Sequence, residues 1–269
     1  MAKTSKSPKR ILQVADQIGK QRLRTYSHKF SPKKFTLPQL FACLVLKEFL
    51  RLDYRKLSAL LKDAPSLAAV ISLKQVPHFS TFQKAVARLL VSRRALRLLD
   101  EIVRVATEHR VMRKKVTSAA IDGTGFETRH ISAYFVRRRS RACKTGYQTT
   151  TYTRYPYANL LCDCKSHMVL GVVTGRGPGP DDPYFQSTLK QAIGRAKIDT
   201  LLADAGYDSE AAHAIAREQY GTRTLIPATR GRPTKKRLRG YWRSRMKTHF
   251  NQVKYGQRWQ VETVNSMIK

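Results

Sequence analysis

From Phe35 to Leu50 the chain reads FTLPQLFACLVLKEFL, with apolar residues recurring at helical spacing. Thr36 precedes the run where a cap belongs, and Pro38 falls in the first turn, where a helix tolerates it. The same period runs from about Ile11 to His109, so this whole stretch is predicted to be helical. In DYRKLSALLKD, Tyr54, Leu57, Leu60 and Leu61 share one face. Beyond Val76-Pro77, FSTFQKAVARLL gives a second short helix with Ser80 placed as its N-cap.

Near residue 116 the texture changes. VTSAAIDGTGF is an apolar, β-rich run that stops at Asp122-Gly123. Tyr157 to Cys164 and Met168 to Thr174 form two strands joined by the polar turn Lys165-Ser166-His167, which is a hairpin. A helix from about Tyr184 to Lys197 follows, capped by Asp181 or Asp182 before Pro183. Then come the strand DTLLADAGYDS, a helix stopped by Gly221 and capped by Asp208, the strand TRTLIPA, a basic segment and a last helix. Strands separated by helices pair in parallel and hairpin strands antiparallel, so the second half is α/β with a mixed sheet flanked by helices, as in an RNase H-like core. The predicted organisation is a polar basic arm over 1–10, a helical N-terminal domain over 11–112, and an α/β domain over 113–269.

Charge adds the partner. Across 269 residues, 52 Lys and Arg face 18 Asp and Glu, for a net charge of +34, while the 42% hydrophobic share is that of a folding chain. Such a balance fits a polyanion, with nucleic acid foremost. No run is long and apolar enough to span a bilayer and no signal peptide opens the chain, so the expected setting is cytoplasmic. In the helical half, Lys84, Arg88, Arg93, Arg94 and Arg97 lie on or after the second short helix. They suit either a helix-turn-helix-like DNA reader or a scaffold with solvated basic faces. Cys43, Cys143, Cys162 and Cys164 lack zinc-ligand spacing and read as packing residues.

The acids carry the candidate chemistry. Asp122 in AAIDGT and Asp204 in LLADAG both stand where an apolar strand meets a glycine, at the carboxyl ends where open α/β sheets place their sites. Glu262 is the only carboxylate among residues 219–269, which hold thirteen Lys and Arg. It is either a metal ligand or half of an ion pair with Arg258 four residues earlier. On one continuous helix Tyr255, Arg258, Glu262 and Lys269 fall within roughly a 60° arc, a ring, a guanidinium, a carboxylate and an ammonium facing one ligand. Three hard carboxylates suit a pair of magnesium ions, and two such ions activate and stabilise the oxygens of a phosphodiester displacement. The segment TRGRPTKKRLRGYWRSRMKTHFNQVK, 229–254, adds ten Lys and Arg, among them Lys235, Lys236 and Arg237. Its Trp242 either stacks on an unpaired base or covers the edge of the core. VRRRSRACK, with Arg137 and Arg138, is read as a DNA-backbone contact or a solvated loop.

The spacing Tyr255, two residues, Arg258, three residues, Glu262, six residues, Lys269 resembles the signature of a large group of bacterial insertion-sequence DDE transposases. IDGTGF and LLADAGYDS resemble the segments holding that family's first two acids, and VPHFSTF resembles part of its N-terminal domain. The resemblance implies an RNase H-like catalytic domain preceded by an all-helical DNA-binding domain. It implies Asp122, Asp204 and Glu262 as the acidic triad holding two Mg2+, with Mn2+ as a substitute, for strand nicking and strand transfer. Arg258 and Lys269 would contact phosphates, Tyr255 would position the transposon end, and 229–254 would stand where relatives carry an insertion. The implied partners are double-stranded DNA, as inverted-repeat ends and target, and a second copy of the chain in the synaptic complex, with a nucleoid-associated setting. Relatives continue past the position of Lys269, so the alternative expectation is a truncated, catalytically impaired form that only binds DNA.

Overall fold

The computed structural model describes residues 6–30, 32–89, 91–126, 155–177, 179–228 and 238–269. Arg137, Arg138, Lys235, Lys236 and Arg237 lie outside the described residues. The chain divides into two compact units, Met1–Val111 and Met112–Lys269.

The first unit is helical: α1 (Pro8–Arg22), α2 (Leu37–Phe49), α3 (Tyr54–Asp63), α4 (Pro65–Val70), α5 (Phe79–Leu89) and α6 (Ser92–Glu108). α1 begins at Pro8, three residues inside the segment read as an arm. Thr36 and Gln39 form a reciprocal capping box at the start of α2, with Pro38 in its first turn. Their capping frees the apolar face of α2 to fill the core, where Leu40, Cys43 and Leu46 meet Leu12, Leu57, Leu61 and Phe82. Ser80 is not the cap of α5: the helix starts at Phe79, and the Ser80 hydroxyl lies 2.8 Å from His78 Nδ1. The α3 and α5 pair is also not a simple two-helix turn, because α4 intervenes. Ser58 Oγ donates to the Pro77 carbonyl at 2.9 Å and holds the connection against α3.

In the second unit the described strands are β1 (Lys115–Val116), β2 (Ala119–Gly125), β3 (Tyr155–Asp163), β4 (Val169–Gly177), β5 (Lys197–Ile198), β6 (Thr200–Leu202) and β7 (Arg223–Leu225). The helices are α7 (Asp182–Ile193), α8 (Glu210–Ala214), α9 (Tyr241–Thr248), α10 (Gln252–Tyr255) and α11 (Trp259–Ile268). β1 and β5 pair separately, and the main sheet runs β4-β3-β2-β6-β7. β2, β3 and β4 are mutually antiparallel, while β6 and β7 join in parallel after helical crossovers. This is the mixed sheet that the alternation of strand and helix predicts.

Residue alternation sorts the two faces of the sheet. Ala120, Cys162 and Leu202 face α11 and pack with Val261, Val264 and Met246. The opposite face meets α7, whose Phe185 and Leu189 are fully buried. Gly171 of β4 lies under the Thr188 carbonyl of that helix, so close that a Cβ at 171 has no room.

Candidate active site

Parallel register puts two acids side by side. Ala120 of β2 pairs with Leu202 of β6, and Asp122 and Asp204 each stand two residues further along. Both therefore project from the same face at the same level of adjacent chains, whose spacing is about 4.8 Å. β6 ends at Leu202, and Asp204 caps the 3-10 turn Ala205–Tyr207, accepting from Gly206 N–H at 2.9 Å. The glycine after the strand admits that tight turn.

α11 closes over this pair. Its Val261, Val264 and Asn265 are buried against the sheet, and Asn265 Nδ2 donates to Asp122 Oδ2 at 2.9 Å. Glu262 lies three residues before Asn265 and so on the same side of the helix. It remains half exposed, at 54%. Arg258, the last residue of the 3-10 turn Gly256–Arg258, joins the two elements. Its Nη2 donates to Glu262 Oε1 and its Nη1 stands 3.9 Å from Asp122 Oδ1. The ion pair between Arg258 and Glu262 is thus formed, and the same guanidinium reaches the first acid.

Burial pushes the Asp122 carboxyl up to about 6; the Arg258 charge opposes the rise, and the charges of Asp204 and Asp181 add to it. Asp181 carries no capping bond to α7 and instead accepts from the Tyr157 hydroxyl over Gly123. Asn159, fully buried, donates from Nδ2 to both Tyr157 and Tyr207. Neither Asn265 nor Asp181 stands out in the sequence. The only available signal for Asn265 is its helical spacing from Glu262.

Residues 255–269 do not form the single helix expected. α10 gives way to the 3-10 turn at Gly256, a weak helix former, and α11 begins at Trp259. Tyr255 is carried on the preceding short helix, its ring 4.9 Å from that of Phe250, packed against the cluster beneath α11. Burial raises its phenol pKa, with Arg258 opposing and the Asp204 charge adding. Lys254 Nζ donates to Thr200 Oγ1 at 2.7 Å, tying α10 to β6. Lys269 is exposed at the end of α11. Among the described residues, no three His, Cys, Asp or Glu side chains gather closely enough to hold one ion.

α9 is docked by acids from the other crossover. Asp208 does not cap α8; Ser209 does, accepting from Ala212 N–H at 3.1 Å. Asp208 is instead buried and gripped by Arg243, with Nε 2.8 Å from Oδ1 and Nη2 2.7 Å from Oδ2. Glu210 accepts the backbone N–H groups of Trp242 and Arg243, at 3.0 and 3.1 Å, and so caps α9 from outside it. Trp242 Nε1 donates to Glu218 at 3.0 Å, and the Arg217 guanidinium lies 4.3 Å from its ring centroid.

β2 does not stop at Asp122-Gly123 as expected but stays paired with β3 through Gly125, so Asp122 stands in mid-strand while Asp204 lies just past the end of β6. A sheet in the order β4-β3-β2-β6-β7, antiparallel then parallel and flanked by helices, with these acids on two adjacent central strands, defines an RNase H-like α/β domain. A family model for the transposase DDE domain matches residues 117–269, more than half of the chain, and the chain belongs to that family of transposases. Comparison with curated proteins and with solved structures finds no match to either. Among the described residues no helix is long and apolar enough to cross a membrane.

Proposed function

We propose that this transposase is of the insertion-sequence group with the Tyr-Arg-Glu-Lys signature, and that Asp122, Asp204 and Glu262 are its catalytic acids. The observation that carries the reading is the guanidinium of Arg258, shared between Asp122 and Glu262 beside Asp204. Carboxylates from a strand and a helix already gather around one cation, and the donors are hard oxygens of the kind Mg2+ prefers. When bound, a pair of such ions supplies Lewis acidity to both the attacking and the leaving oxygen of a phosphodiester.

The chain's own residues do the rest. Asp122, Asp204 and Glu262 would hold the ions, and Asn265 keeps the Asp122 carboxyl turned toward α11. Arg258 moves from the carboxylates to a phosphate of the DNA end, which its planar fork matches, and Lys269 contacts a second phosphate. Tyr255 packs beside the terminal nucleotide. Arg137, Arg138, Lys235, Lys236 and Arg237 contact the backbone. Water attacks phosphorus, the P–O3′ bond breaks, and the 3′ oxygen leaves as a hydroxyl. That hydroxyl then attacks a target phosphodiester, forming a new P–O3′ bond to the element end as the target strand's own P–O3′ bond breaks and its 3′ oxygen leaves as a hydroxyl. Two ends brought together imply a homodimer.

The test is a plasmid carrying the element's inverted repeats. The full chain with Mg2+ is expected to release 3′-OH ends, and Asp122→Ala, Asp204→Ala and Glu262→Ala to release none while binding the same DNA. Variants that cut like the parent would sink the assignment.

A further inference from the structure

Two stretches of the helical unit contain no acid: residues 17–47 and residues 64–99. The fold brings a part of each together. The α1–α2 connection and the α5–α6 junction wall an open groove of about 580 Å³, with Ser27, His28 and Phe30 on one side and Arg88, Val91 and Arg94 on the other. Arg94 Nη1 donates to the Arg88 carbonyl at 2.6 Å, which fixes a guanidinium at the lip.

Phe30 is 78% exposed on this groove. An exposed ring beside cationic side chains offers a stacking face next to phosphate-binding groups. The Lys29 ammonium lies 4.9 Å from the ring centroid, and the His28 ring packs at 5.3 Å with an interplanar angle of 42°. His28 Nδ1 accepts the Phe30 backbone N–H at 3.3 Å, so the ring sits on a locally braced turn. An aromatic platform bordered by guanidinium and ammonium groups matches a flat base attached to a phosphodiester chain. A base inside a duplex has both faces covered by its neighbours, so the platform selects an unpaired one.

We propose that this groove binds an unpaired nucleotide of a DNA strand, its base on Phe30 and its flanking phosphate on Arg88 and Arg94. The inference rests on the reading of the chain as a DNA-acting transposase, and it adds a second nucleotide site, in the helical unit.

The experiment uses the full chain, a fluorescein-labelled oligo(dT) strand and a fully paired duplex of equal length, with anisotropy as the readout. Phe30→Ala is expected to weaken oligo(dT) binding roughly fivefold or more and to leave duplex binding unchanged. Phe30→Tyr is expected to restore it. Arg88→Ala should flatten the salt dependence for oligo(dT) by about 0.7 in log–log slope, the share of one phosphate contact. If Phe30→Ala binds both probes as the parent does, or weakens both equally, the groove is not a site for an unpaired base. If the parent binds neither probe, the DNA-binding reading itself fails and the groove with it.

Discussion

Replacing Arg243 by alanine removes a guanidinium from a carboxylate that has no exposure to water. Asp208 is 0% exposed and Arg243 19%, and two charge-assisted hydrogen bonds join them. Without the guanidinium, Asp208 stays buried and loses two charge-assisted hydrogen bonds, which costs about 3–5 kcal/mol. For a domain of roughly 150–250 residues, each kcal/mol moves the melting temperature by about 2–4 °C, so a fall of roughly 6–20 °C is expected for the unit Met112–Lys269. Urea unfolding and calorimetry of the full chain measure it. Asp208→Asn and the double variant complete a cycle whose coupling should reach about 1–3 kcal/mol. Arg245→Ala, on the exposed side of the same helix, serves as the control and should change stability by less than about 0.5 kcal/mol. An Arg243→Ala protein melting within 2 °C of the parent, or a cycle showing no coupling, would refute the reasoning.

Three further outcomes follow from the packing. Gly171→Ala drives a Cβ into the Thr188 carbonyl and should destabilise by about 1–3 kcal/mol, whereas Gly256→Ala meets nothing within 4 Å and should be neutral; thermal unfolding distinguishes them. His213 is fully buried against Thr224 and its burial lowers the imidazole pKa to about 4. Because the folded pKa lies below the unfolded value near 6.5, its contribution is complete above that pH and is lost as pH falls toward 4. The parent should therefore lose up to about 3 kcal/mol more than His213→Asn between pH 7 and pH 4, and parallel stability curves would contradict this. Glu101, 1% exposed, is paired with both Arg22 and Arg104, so Arg22→Ala should cost less than Glu101→Ala, a ranking read directly from urea midpoints.

Local chemistry was legible where neighbours in sequence are also neighbours in space. The strand at AAIDGT, the hairpin around Lys165-Ser166-His167 and the Thr36 cap are fixed by residues within a few positions of one another. The pairing of Asp122 with Asp204 follows from the parallel register of β2 and β6, but the strand end read at Asp122-Gly123 does not exist, because pairing with β3 carries β2 on to Gly125. What could not be read depends on distant partners. Asp208 has the spacing of a cap, yet Arg243, 35 residues away, claims it, and Ser209 takes the cap. Asn265 orients Asp122 across 143 residues. The 3-10 turn at Gly256–Arg258 interrupts the single helix expected, while Tyr255 packs on Phe250 and still stands beside Arg258.

The remote cap of α9 also makes the last elements of the chain depend on a distant one. Glu210 meets the first amides of a helix that starts some thirty residues later, where Gly240 precedes the helix and offers no side-chain cap. A molecule with that crossover undone lacks the contact that holds the start of α9, the helix from which the chain continues into α10 and α11. Because α11 packs on β2 and β3, the position of Glu262 depends on the sheet beneath it, and under the proposed assignment a half-folded molecule would lack one of its three acids.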